Sequence, residues 1–410
     1  MAVFDRARNK RGIILAASVA VVAIVIGNLV PPIAVFFMKL LPHGAQTNVR
    51  LVSEESVVLN LRPEMDPELD PADNPSVRCV DLGVPGCTHL HAPAELTQVI
   101  TTSSTDTFLE TNVDSLLRLM IGGELYAKVE DHHRLNRDSA YPVREPVASK
   151  LFTIGPLNTR VEVPAHTLEG LRYFFPFETE RRSYQYADPV VRDIVPLDYV
   201  NPTEVNGVRT YEFHTDIPVT NLIKAALAGQ PEALSLEQQE AFAALDSRAQ
   251  IQVALGLDDA TMEGVAAVTE GPAQQFFSPT EMERFGYAEG QKVALQPYYD
   301  AERTFFIEPK TGTVLNQKVA VDIFLAENNV QAHEISDEGL NNPARTVLRA
   351  DFEFDEATRH AQTDVATPQI KQIRVLQVVS WLANVTIILA LAVLAWLILR
   401  RRKHSANRNK

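Results

Sequence analysis

The sequence predicts an α+β protein: a large, mainly antiparallel β domain held outside a membrane, with a helical insertion and one transmembrane helix at each end. Three observations predict it. Uncharged apolar runs stand near both termini, at residues 12–30 and 375–399. Each is bounded on its terminal side by a basic tail. Between them, short stretches alternate apolar and polar residues and are separated by Gly, Pro and Asn, the pattern of strands and turns.

Residues 1–11 form the first tail, with Arg6, Arg8, Lys10 and Arg11 against Asp5. The run 12–30 gives about 28 Å of helix, and the anchor is placed at 12–38. Pro31-Pro32 is expected to kink or end that helix near the outer interface. No small-x-small cleavage site follows, which favours an uncleaved anchor over a signal peptide. The run 375–399 gives about 37 Å, enough to cross a hydrocarbon core with some tilt. It includes the polar Ser380, Asn384 and Thr386, and places Trp381 and Trp396 near opposite ends, where such rings prefer the interface. Residues 400–410 are the second basic tail. The positive-inside rule then puts both termini in the cytoplasm and residues 39–374 on the far side of the plasma membrane.

The two tails hold ten of 38 basic residues and one of 52 acidic ones, which leaves 28 against 51 and a net charge of −23 between them. Such a surface repels nucleic acid and anionic headgroups, so no nucleic-acid partner is expected.

Within 39–374 the first strand is expected near 50–61. Residues 63–75 form a loop whose acids lack the spacing and pivotal Gly of a calcium loop. Cys79 and Cys87 are the only cysteines and close a short loop, so in an exported domain a disulfide is predicted, in preference to a metal site with His89 and His91. Apolar residues at 113, 116, 117 and 120 have helical spacing, and 131–134 (Asp-His-His-Arg) reads as a polar loop. Strands are predicted at 151–154 and 161–163. From 211 to 217, Tyr211, Phe213, Thr215 and Ile217 share one strand face, and Glu212, His214 and Asp216 the other. Residues 219–264 are rich in Ala, Gln and Glu and read as the helical insertion. Ser235 and Gln238 have capping-box spacing, and the helix they start runs to Leu255. After that, a hairpin is predicted around 308–312 (Glu-Pro-Lys-Thr-Gly), with a further strand at 348–354.

The chain has no nucleophile elbow, Walker loop, dinucleotide fingerprint or zincin helix motif, so no enzyme, cofactor or metal is expected. No charge lies inside either span. Six aromatics fall between 173 and 186: Tyr173, Phe174, Phe175, Phe177, Tyr184 and Tyr186. They are the candidate lining of an apolar groove, and ordinary core packing is the competing reading.

The stretches 170–188 (Gly-Leu-Arg-Tyr-Phe-Phe-Pro-Phe-Glu-Thr-Glu-Arg-Arg-Ser-Tyr-Gln-Tyr-Ala-Asp), 205–213 (Val-Asn-Gly-Val-Arg-Thr-Tyr-Glu-Phe) and 306–312 (Phe-Ile-Glu-Pro-Lys-Thr-Gly) resemble the actinobacterial PorA family, as does the doubly anchored layout. Two plasma-membrane helices are not the strands of an outer-membrane barrel. The resemblance is therefore read as implying a periplasmic partner of mycolate export. Such a protein binds or hands on an envelope glycolipid of the trehalose monomycolate kind, beside a mycolate-exporting transporter. A cell-wall glycan- or lipid-modifying enzyme and a structural scaffold stand as the alternatives.

Overall fold

A computed structural model describes residues 2–59, 89–144, 150–154, 159–163, 167, 169–227, 237, 240, 244–245, 247–255, 257–340 and 342–406. They divide into two compact units, 1–41 with 364–410, and 42–363.

The larger unit is built on strands β1 (Gln46–Leu59), β2 (His89–Ser104), β3 (Glu110–Ile121), β4 (Glu124–Asn136), β5 (Lys150–Ile154), β6 (Thr159–Val163), β7 (Tyr184–Ala187), β8 (Ile194–Val205) and β9 (Val208–Asn221). A short ribbon of β10 (Glu270–Pro272) and β11 (Lys292–Ala294) follows, then β12 (Gln296–Ile307), β13 (Val314–Ala326) and β14 (Thr346–Phe354). Twelve of these form one sheet in the order β6-β5-β4-β3-β2-β1-β14-β13-β12-β9-β8-β7, antiparallel at every pairing. This is an up-and-down order wrapped on itself. The last strand pairs with the first, and β6 and β7 are the two edges.

Alternation explains most of the strands. On β14 Thr346, Leu348, Ala350, Phe352 and Phe354 are buried, and on β9 Phe213, Thr215 and Ile217, as the period of two requires. The strands expected at 151–154 and 161–163, the 308–312 hairpin and the strand at 348–354 all form.

Two expectations are corrected. The stretch 113–120 lies inside β3, where Val113, Ser115, Leu119 and Ile121 point inward. A polar Ser115 at an inward position had broken the alternation and left a helical spacing of apolar residues. Residues 131–134 belong to β4, with Asp131 and His133 buried rather than solvated.

Within 219–264, β9 extends to Asn221 before helices Leu222–Leu227, Ser247–Leu255 and Asp259–Thr269. Residues 244–245 are non-helical, so no single helix runs to Leu255. The capping residues Ser235 and Gln238, the loop 63–75 and the Cys79–Cys87 bridge lie outside the described residues.

The smaller unit consists of terminal helices. The first runs Ala2–Ile24, passes through a π-turn at Val25–Leu29 and continues Val30–Lys39. Of the two outcomes expected at Pro31-Pro32, a kink or an end, the end does not occur there. The prolines' missing N–H groups leave the carbonyls of Gly27 and Asn28 without their i+4 donors, and the π-turn, in which Val30 N–H bonds Val25 O, absorbs the extra residue. The last helix, Glu356–Ala406, is continuous through Pro368.

Candidate functional site

Two places gather the polar groups that the core would otherwise exclude. The first is inside the curled sheet. Leu171 bonds β7 on both sides, its N–H donating to Gln185 O (2.7 Å) and its carbonyl accepting from Ala187 N (2.8 Å). Its neighbours reach the opposite arm. Arg172 forms an ion pair with Asp131 on β4 and donates to His133 Nε2 (3.3 Å), and the Tyr173 hydroxyl donates to Asp131 (3.3 Å). The segment 171–173 thus ties the two arms together. Gly170 makes the approach possible: its φ of +86° and a Cβ that would stand 2.9 Å from Gln185 O exclude other residues.

A second buried pair lies alongside. Arg303 on β12 donates through Nε to Asp188 Oδ2 (2.9 Å) and through Nη2 to Tyr299 (3.0 Å). The other oxygen of Asp188 caps Val190 N (2.8 Å) and Val191 N (3.1 Å). Burial raises the hydroxyl pKa values of Tyr173, Tyr186 and Tyr299, so all three stay neutral. Burial works against the charge on Arg172 as well, but Asp131, Asp188 and the tyrosines outweigh it and raise its pKa. Arg192, desolvated near Arg172, is lowered to about 10.

The six aromatics named from sequence are brought to this region. Phe175 packs against Tyr184, Phe213 and Phe305, and Tyr186 against Phe305. Tyr173, Phe175, Tyr184 and Tyr186 are buried, and Phe174 and Phe177 half-buried. A pocket elsewhere in the unit, between β12–β14 and helix Asn329–Asp337, has a lining that includes Asp300, Asp322, Ser336, Asn342, Arg345 and Arg349.

Sequence reasoning missed the ion pairs. A buried Arg and Asp carry no local pattern when their partners lie on strands 41 and 115 residues apart. Among the described residues one group offers metal-ligating atoms: His214, Asp216 and Glu302, on adjacent strands. His214 is engaged by Thr304 (3.0 Å) and Asp216 (2.8 Å), and all three lie on the solvent side.

The second place is in the helix pair. Within 373–397 the buried positions Ile373, Ala383, Ala390 and Leu397 and the half-buried Leu376, Ser380, Ile387 and Leu394 recur at alternating steps of three and four, with Val379 and Val385 half-buried beside them. That is the 3.5-residue repeat of a left-handed crossing. Ala16, Ala20, Ala23 and Gly27 line the first helix at the same repeat, and the π-turn then shifts the next buried position to Pro31. Small residues let the backbones approach: a Cβ on Gly27 would overlap that of Ala383. Beside the seam, Asn28 Nδ2 donates to Asn384 Oδ1 (3.2 Å). Both side chains are exposed on the flank of the pair. The pair stands about 25 Å from Arg11 and Arg400 along the helices and about 16 Å from Lys39 and Arg374, which is inside the apolar stretch of both.

Fold and sites define a membrane protein with two apolar terminal helices and a large antiparallel sheet between them in sequence. The family model for Porin PorA matches residues 13–397. A Porin PorA of Corynebacterium resistens is 28% identical over 290 residues, 68% of each chain. A Porin PorA of Corynebacterium amycolatum is 26% identical over 251 residues, 60% of this chain and 58% of that one. The chain belongs to the PorA family. The glycolipid-handling reading, with its link to mycolate export, is overturned by these relatives, which are named porins; neither it nor its enzyme and scaffold alternatives is retained.

Proposed function

We propose that this protein is a non-catalytic, channel-forming component of the cell envelope, in which several copies contribute their helix pairs to one path. Two helices cannot enclose a pore, so the path needs more than one chain. The observation that carries the reading is the Asn28–Asn384 pair: two hydrogen-bonded amides exposed at one depth of a mainly apolar hairpin. Its other exposed polar residues among those described, Ser18, Gln377 and Thr386, do not pair across the two helices. Exposed polar groups in hydrocarbon are costly and are tolerated where they line a cavity or meet a partner. The basic tails support an orientation with both termini in the cytoplasm. The excess of acid between the tails, −23, favours cations over anions as the solutes drawn to this protein.

The test is solute flux. Full-length protein reconstituted into liposomes should release an entrapped small hydrophilic dye faster than protein-free vesicles, in proportion to the protein added. Release at the protein-free rate would refute the reading.

A further inference from the structure

We infer that the Asn28–Asn384 amides are the docking contact for a second copy of this chain, bonding head-to-tail around the channel axis; the inference rests on the channel reading. Each side-chain amide carries two N–H donors and a carbonyl acceptor. The bond from Asn28 Nδ2 to Asn384 Oδ1 uses one donor and one acceptor. It leaves two N–H donors on Asn384, and one N–H and the carbonyl on Asn28, none of which lipid tails can satisfy.

Among the described residues, no other side chain of the hairpin bonds them. The Gly27–Ala383 seam is closed by small apolar residues, and the amides flank it rather than enter it. Thr386, the neighbouring polar residue, is satisfied within its helix by Leu382 O (2.9 Å).

The spare groups identify the occupant. They are complementary, N–H donors on Asn384 and a carbonyl acceptor on Asn28, and they sit on different helices at one depth. The Asn384 amide of one copy therefore fits the Asn28 carbonyl of the next, and the contact repeats. A contact between unlike patches generates a ring when its rotation closes. The ring would set a girdle of amides at a single level of the path, about 16 Å from the outer flanking cations. An unrelated partner helix would need its own matched donor and acceptor at that depth. This chain already supplies both.

The experiment counts copies. Full-length protein, labelled at the C-terminus, is diluted into liposomes and scored by single-molecule photobleaching. Wild type should show two or more steps per spot. Asn28→Leu and Asn384→Leu should each weaken association about 3- to 20-fold, the range of one or two interhelical hydrogen bonds. Thr386→Val should leave the step distribution unchanged. Each variant must keep the tyrosine near-ultraviolet signal of the sheet. Single-step wild type, or leucine variants that assemble like wild type, would overturn the inference. Assembly without solute release would refute the channel and leave the docking contact standing. Release with assembly indifferent to both asparagines would do the reverse.

Discussion

The backbone carbonyl of Phe175 lies directly against the α-carbon of Gly312, where the 308–312 turn meets the aromatic segment. Gly312 holds a φ of +71°, and a Cβ there would stand 2.8 Å from Pro176 O and closer still to Phe175 O. Glu178 N donates to Lys310 O (3.2 Å) beside it, and Glu308 accepts from Thr311 N (2.8 Å) to hold the turn. Two of the stretches that carry the family resemblance are thus one contact in space. Gly312→Ala should cost about 2–4 kcal/mol, from left-handed strain and overlap together. Urea unfolding followed by tyrosine near-ultraviolet dichroism would check this, since both tryptophans lie in the last helix. A shift below about 0.5 kcal/mol would contradict the contact.

The Asp188–Arg303 pair makes a different prediction. Both side chains are buried, at 0% and 8% exposure. Removing one partner leaves the other charge desolvated, so Asp188→Asn or Arg303→Met should each cost about 3–5 kcal/mol. The double variant should cost clearly less than the sum. Additive losses in a double-mutant cycle would show that the two residues act independently.

Acid should loosen the sheet unit through Glu281. Burial alone would raise its pKa, but the hydrogen bond and charge of Arg345 outweigh it and hold the value at about 2, against 4.5 for a free glutamate. A carboxylate depressed in the folded state gives stability that is complete above pH 4.5 and disappears as pH falls toward 2. The loss amounts to about 3 kcal/mol. Glu281→Gln should flatten the pH dependence over that window, measured by unfolding at each pH. An unchanged slope in the variant would remove Glu281 as the cause.

How much of this was legible depended on whether the signal was local. The two terminal apolar helices follow from long uncharged runs, the 308–312 hairpin from its turn residues, and the 211–217 alternation from a period of two. The wrapped strand order does not, because the β1–β14 pairing joins residues about 300 apart in sequence. Ser115, Asp131 and His133 misled for one reason. They are inward positions filled by polar side chains: Arg172, the partner of Asp131 and His133, arrives from a segment outside the strands, and Ser115 accepts from Gln98 Nε2 on the neighbouring strand (2.9 Å). Asn384 stands out as a polar residue in its apolar run, whereas Asn28 is passed over when 12–30 is read as an uncharged run. Their bond needed the crossing of Gly27 on Ala383.

The most direct measurement of the central claim is the current carried by the full-length protein in a planar lipid bilayer. The account predicts stepwise conductance from wild type at neutral pH. The Asn28→Leu/Asn384→Leu protein, with its sheet intact, should show that conductance lost or reduced at least tenfold. A silent wild-type bilayer, or a double variant that conducts like wild type, would contradict it.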